Sequence, residues 1–462
     1  MTPAVSNGFV RWFRSILSLT ALSLFVAYAC GPSTTVCTSD AQCLNGFYCA
    51  DTGSGDKVCV RRTTTDGSSV VDNNNPQPDN NNPPPDQPPP VGNCKIPAYN
   101  PANDPGNGGK STQLDNVDKA FFKKLRDIFY VSQNCSNQIW GGGYQLHKVP
   151  TYLVNVGSSQ PGTGAGTKGF LINHPNPPSG STLVDSKLVF GIPNVYRYDN
   201  SAKGVPQPGF DFGYKVGNLE TYAFEYGTGD DWVNPTLSRG EAFALYVHEA
   251  FHRVQDYEES WNYPQGNQDA NGYDFRAEIT ALALLVDQAL IRGVLGQASA
   301  DETLKLYYAA RTQRMSLDKS PSKLVRSMDN FQEWLEGTAM YAEEKYMIAL
   351  GYSITPSNPN SIAGRLVYFG AVGAQESRED LVNTMFARFY ATGAAVGLML
   401  DKLGDTTWKS EIRKGKTFYD IVAVRYKSLS AAQQKQILDA AKQKYDYTNK
   451  LLPIAKTYGS KK

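Results

Sequence analysis

His248-Glu249-Ala250-Phe251-His252 sets two imidazoles four residues apart, with a carboxylate beside the first. On a helix, residues four apart share a face, so both rings can reach one ion. Zinc in a hydrolytic site takes three protein ligands and keeps one position open, and a neighbouring carboxylate such as Glu249 can take a proton from the attacking water. The chain has only four histidines, and this composition yields the pattern by chance on the order of 10⁻³ per chain. Ser238-Arg239-Gly240-Glu241 just upstream is a capping-box pattern, which predicts that the helix carrying the motif starts there.

A third ligand has to come from another segment. His147 and His174 lie upstream. Glu278 sits in Phe275-Arg276-Ala277-Glu278-Ile279-Thr280-Ala281-Leu282, and Glu336 sits in Trp334-Leu335-Glu336-Gly337-Thr338-Ala339-Met340-Tyr341-Ala342-Glu343. Spacing alone favours Glu278, the nearer carboxylate. If it is not the ligand, its expected place is as an acid supporting the site or as a buried partner of Arg276.

The stretch Trp334 to Glu343 resembles the segment of gluzincin metallopeptidases, above all of the aminopeptidase N family, in which a Trp-Leu-x-Glu-Gly-x-Ala-x-Tyr run supplies the zinc-binding glutamate. Clostridial-type collagenases carry a similar Glu-Gly-Thr-Ala. The resemblance implies that Glu336 is the third ligand, and the small Gly337 and Ala339 are expected to let its helix approach the His248 helix closely. Tyr390-Ala391-Thr392-Gly393 resembles the family's Tyr-x-x-Gly helix, which implies that the Tyr390 hydroxyl donates to the oxyanion of a tetrahedral intermediate. Gly217-Asn218-Leu219-Glu220-Thr221 is similar to the Gly-x-Met-Glu-Asn signature, with Leu for Met and Thr for Asn. In that family the glutamate grips the free amine of the substrate, which implies a substrate-binding role for Glu220. A Gly-rich edge strand that pairs with extended substrate is the other reading of that segment. The resemblance spans about Gly217 to Leu403, and the stretch between the two motif helices is longer than the family's, as in a divergent member.

These residues need elements to hold them. From residue 94 to 232 the chain is rich in Gly, Pro and alternating apolar residues, which predicts a β-rich part; Val149 to Val154 and Lys187 to Ile192 read as strands. From 233 to 462 apolar residues recur every three or four positions, which predicts helices. The expected class is therefore α+β: a β-rich half followed by a mainly helical, thermolysin/gluzincin-like catalytic half.

Ahead of this body the chain changes character. Arg11 and Arg14 precede an apolar run from Ile16 to Val26 that is too short to span a membrane, so residues 1–29 read as an export signal. Ala27-Tyr28-Ala29 suits ordinary cleavage, and Ala29-Cys30-Gly31 resembles a bacterial lipobox, with Ala27 where Leu is usual. Of the seven cysteines, lipidation of Cys30 leaves an even set (37, 43, 49, 59, 94, 135) that can pair fully in an oxidising compartment. This favours a lipoprotein. Residues 30–61 hold four of these cysteines in a segment too short to bury a core, which predicts a disulfide module. Asn and Pro runs across 62–93, such as Asn73-Asn74-Asn75 and Pro83-Pro84-Pro85, predict an extended tether without packing.

Net charge is +1, which asks for no nucleic acid partner. The expectation is a zinc-dependent peptidase held to a bacterial outer membrane or cell surface through a lipid on Cys30, acting on peptides or proteins. Two other classes share the same residues: a non-catalytic surface-binding lipoprotein with a relic metal site, and a metallo-esterase or amidase.

Overall fold

A computed structural model describes residues 47–51, 57–61, 96–97, 114–141, 144–157, 168–198, 212–227, 241–257, 261–266, 270, 272–320, 322–352, 354, 356, 361–371 and 378–459. The expected signal segment (1–29), Cys30, Cys37, Cys43, the expected 62–93 tether, Cys94 and the expected Ser238 cap lie outside the described residues. Of the cysteine-rich segment, the backbone forms a hairpin, β1 (Phe47–Asp51) with β2 (Lys57–Arg61), whose register sets Cys49 opposite Cys59. Cys135 is disulfide-bonded.

The first described element of the body is a helix, α1 (Asn116–Ile139), within the part expected to be β-rich. Phe121, Phe122, Leu125, Ile128, Phe129, Ser132, Cys135 and Ile139 fall at helical spacing and are buried, which is why the segment is helical. Asp115 and Asp118 close a capping box at its start. Asp118 also accepts from the Tyr226 hydroxyl at 2.7 Å and the Lys168 ammonium at 2.9 Å, tying α1 to the sheet behind it.

That sheet has six strands: β3 (Thr151–Asn155), β4 (Lys168–Ile172), β5 (Thr182–Leu183), β6 (Val195–Arg197), β7 (Gly213–Val216) and β8 (Leu219–Tyr226). They are ordered β5-β6-β4-β3-β8-β7; β3 runs parallel to β8 and the other pairs are antiparallel. Alternation puts Leu153, Phe170, Tyr222 and Phe224 toward the main core, and Tyr152, Val154, Leu171 and Ala223 into a small second cluster on the other face. Two expected strands resolve differently. The first begins at Thr151, after Pro150. The second, Lys187 to Ile192, is no strand: Ser186–Val189 is a 3₁₀ turn capped by the Asp185 carboxylate, and Phe190 at φ 57° and Gly191 at φ 84° reverse the chain.

The rest of the body is helical, as the apolar spacing predicted: α2 (Glu241–Tyr257), α3 (Ala277–Val294), α4 (Ala300–Leu317), α5 (Leu324–Ala349), α6 (Ile362–Ala371), α7 (Arg378–Lys402), α8 (Trp408–Arg413), α9 (Phe418–Tyr426), α10 (Ala431–Lys444) and α11 (Leu452–Gly459). The architecture is mixed α and β, with one core cluster running from α1 and the sheet through these helices. At its centre lies α5, most of whose residues are buried.

Candidate metal centre

Three segments meet at the candidate site. On α2, His248 and His252 share a face four residues apart, and α5 brings Glu336 against them. His248 Nε2 lies 3.2 Å from Glu336 Oε2 and 3.2 Å from His252 Nε2, and His252 Nε2 lies 3.1 Å from the same carboxylate oxygen. Ligand bonds of about 2.0–2.1 Å in a tetrahedral site put neighbouring ligand atoms about 3.3 Å apart. The three atoms therefore already stand at close to the spacing that one zinc ion requires. They are the group among the described residues that can hold a metal ion.

Groups behind the imidazoles orient them. Glu343 Oε2 lies 3.0 Å from His248 Nδ1. A carboxylate only accepts, so Nδ1 carries the proton and Nε2 of the neutral ring keeps its lone pair for an ion. Gln255 Oε1 does the same for His252 Nδ1 at 2.7 Å, while its amide donates to Thr338 Oγ1 at 2.8 Å. The periodicity of α2 and α5 contains both partners: Gln255 is one turn beyond His252, and Glu343 two turns beyond Glu336. Sequence reasoning assigned neither of them a role.

Burial alone would push the His248 imidazole down, yet its bonds to Glu336 and Glu343 carry it up to about 10. Burial likewise opposes ionisation of Glu336, and the His252 charge with the hydrogen bonds of both rings outweighs it, holding the carboxyl well below the usual carboxylate range. Glu249 is partly exposed beside His248. Its charge is close enough to Tyr222 and Tyr390 to oppose ionisation of both phenols.

Tyr390 comes to the centre on α7. Its ring stacks on His248 with centroids 5.2 Å apart and planes 11° from parallel. Burial, Glu336, Glu249 and a hydrogen bond to Glu336 all raise its phenol well above 10, and Arg365 pulls the other way. Its position depends on Gly337 and Gly393. A Cβ on Gly337 would lie 2.6 Å from the Gly393 Cα, and one on Gly393 would lie 2.8 Å from the Gly337 Cα. The two glycines are thus the point where α5 and α7 touch backbone to backbone. This corrects the expectation for Gly337, which opens the way to the Tyr390 helix rather than to the His248 helix. Trp334, fully buried, anchors the same turn through its indole N–H to the Ile412 carbonyl at 2.9 Å.

The other candidates lie elsewhere. Glu278 is exposed in the first turn of α3, where a negative charge suits the helix N-terminus, and it is in no metal-holding group among the described residues. Arg276 pairs instead with Asp274 at 2.7 Å, so Glu278 is not its buried partner. His147 Nδ1 meets Ser132 Oγ at 2.9 Å, and His174 Nε2 meets the Val216 carbonyl at 3.2 Å. Glu220 stands on β8 opposite Lys215 of the edge strand β7. It shares a strand face with Tyr222, whose hydroxyl donates to the Tyr246 carbonyl of α2 at 2.9 Å. That contact sets β8 beside the His248 helix.

No protein-family model matches the chain, and comparison with curated proteins and with solved structures finds no similar one.

Proposed function

We propose that this chain is a zinc-dependent metallohydrolase acting on peptide bonds, with a gluzincin-like set of ligands. The observation that carries the proposal is the convergence of His248, His252 and Glu336 on one point, with Glu249 and Tyr390 beside it. Zinc, when bound by those three side chains, supplies Lewis acidity toward water and an acyl carbonyl. Glu249, adjacent to His248 and partly open to solvent, takes the proton of the attacking water and returns it to the leaving amine. Tyr390, whose ionisation is opposed by burial and by the nearby Glu336 and Glu249, donates to the oxyanion. Glu343 and Gln255 hold the two rings in the tautomer that presents Nε2. Glu220, on the strand beside α2, is the residue proposed to meet the substrate's amine end.

Its setting is proposed to be outside the cytoplasm, anchored through lipidated Cys30, with peptides or proteins as substrates. The disulfide at Cys135 supports an oxidising compartment. Among the described residues no helix is long and apolar enough to cross a membrane.

The test is zinc content and hydrolysis of a mixed peptide library by the full-length protein and by Glu249→Gln. We expect one zinc per chain in both and hydrolysis by the wild type alone. A zinc-loaded wild type as inactive as Glu249→Gln would overturn the enzyme proposal, leaving a surface-binding protein. Cleavage of esters or simple amides without any peptide cleavage would move it to another acyl substrate.

A further inference from the structure

Arg365 belongs to no motif, yet it stands at the metal centre. Its guanidinium carbon lies 5.3 Å from the centre of the Tyr390 ring, within the range of a cation–π contact. The same ring stacks on His248, so two groups bear on it, one of them a proposed metal ligand.

A chain of contacts sets Arg365 there. Helix α5 carries Glu336, then Glu343 behind His248, then Glu344. Buried Glu344 accepts from the Ile362 amide at 3.3 Å, the first residue of α6. Ser361 completes this start: its hydroxyl accepts from the Gly364 amide at 3.0 Å, and its carbonyl from the Arg365 amide at 2.9 Å. Arg365 thus sits in the first turn of a helix whose start is bonded to the element carrying the third ligand. Three carboxylates, Glu249, Glu336 and Glu343, border the site, and a cation on the phenol ring offsets their charge at that edge.

We propose that Arg365 is a positioning residue of the hydrolytic site, holding the Tyr390 ring against His248 and so keeping its hydroxyl beside Glu336. This rests on the hydrolase proposal above. It assigns Arg365 to the transition state through Tyr390, with no direct contact to substrate or metal.

A kinetic cycle over Arg365→Met, Tyr390→Phe and the double variant, all zinc-loaded, tests it. A cation–π contact of this kind corresponds to about a 2- to 30-fold loss of kcat in Arg365→Met, with KM within about twofold. In the Tyr390→Phe background the second substitution should cost nothing further, because the hydroxyl it acts through is gone. Arg365→Lys keeps a cation over the ring and should recover part of the loss. Losses that multiply in the double variant, or a Lys variant as impaired as Met, would overturn the assignment. A second measurement is independent of activity: the fluorine resonance of Tyr390 in 3-fluorotyrosine-labelled protein, identified with Tyr390→Phe. It should shift in Arg365→Met and stay near wild type in Arg365→Lys. A wild type that cleaves no peptide sinks the hydrolase proposal, and Arg365 is then judged by this resonance alone. An unchanged line in Arg365→Met overturns its role.

Discussion

Replacing Gly393 by alanine probes the contact on which the centre depends. The new Cβ would lie 2.8 Å from the Gly337 Cα and 3.1 Å from the Glu333 carbonyl carbon, with the Glu333 oxygen nearer still. Carbon atoms pack comfortably at about 3.5–4.0 Å, so α5 and α7 must part by roughly 0.7 Å or more. All these neighbours are backbone, which cannot swing aside, so the cost falls near the top of the 1–3 kcal/mol typical of overpacking, about 3 kcal/mol. Alanine recovers about 1 kcal/mol of helix propensity, leaving a net loss of about 2 kcal/mol. Tyr390 lies one turn before Gly393 and moves with it, and a displacement approaching 1 Å at a catalytic group costs on the order of 10- to 100-fold in rate. The proposed zinc ligands come from α2 and α5, so metal affinity should change only a few-fold. Denaturant midpoints, chelator competition and kcat measure the three quantities. Gly370→Ala on α6 is the control: among the described residues its Cβ would meet only Leu284 Cδ2 at 3.6 Å, an ordinary contact, so that variant should be neutral or slightly stabilised. If Gly393→Ala is as stable and as active as Gly370→Ala, the backbone contact does not position Tyr390 and the reasoning fails.

Glu343→Gln, which weakens the acceptor behind His248, should lower zinc affinity by about 10- to 100-fold, and Gln255→Leu should do so less strongly because it removes a neutral partner. Chelator competition reads both, and unchanged affinity in Glu343→Gln would mean that His248 needs no such partner. Behind the centre, buried Glu333 accepts from Tyr307 at 2.7 Å and Thr392 at 2.9 Å and pairs with Arg311 at 2.7 Å. Glu333→Leu should therefore cost about 3 kcal/mol, the low end for a broken buried pair, in a denaturant titration, because Arg311 keeps only Asp329 as an acid partner among the described residues and Tyr307 and Thr392 lose their acceptor. The double variant Arg311→Met with Glu333→Leu should lose less than the sum of the single changes, and strict additivity would argue against coupling.

The sequence alone determined the local half of this protein. Four-residue spacing on an amphipathic segment fixes His248 and His252 on one helix face whatever surrounds them, and apolar recurrence marks the helical second part. The motif around Glu336 carried a resemblance that implied this residue as a third ligand, and the structure brings it to both histidines. Other local signals were present and passed over: the buried stripe of α1 at helical spacing, and the Asp185 and Gly191 signals that turn Lys187 to Ile192 into a 3₁₀ turn. Tertiary structure decided what faces what. Glu336 reaches His248 across 88 positions and Glu343 reaches it across 95, whereas Glu278, much nearer in sequence, ends at a solvent-exposed helix start. Gly337 and Gly393 each look like an ordinary small helix residue until the two backbones meet. Arg365 has no pattern around it, and only the packing of α6 onto α5 and α7 lays it over Tyr390. The physical reason is one of range. Spacing within an element dictates which side chains share a face, but a site assembled from separate helices depends on how those faces dock, and no local spacing encodes that.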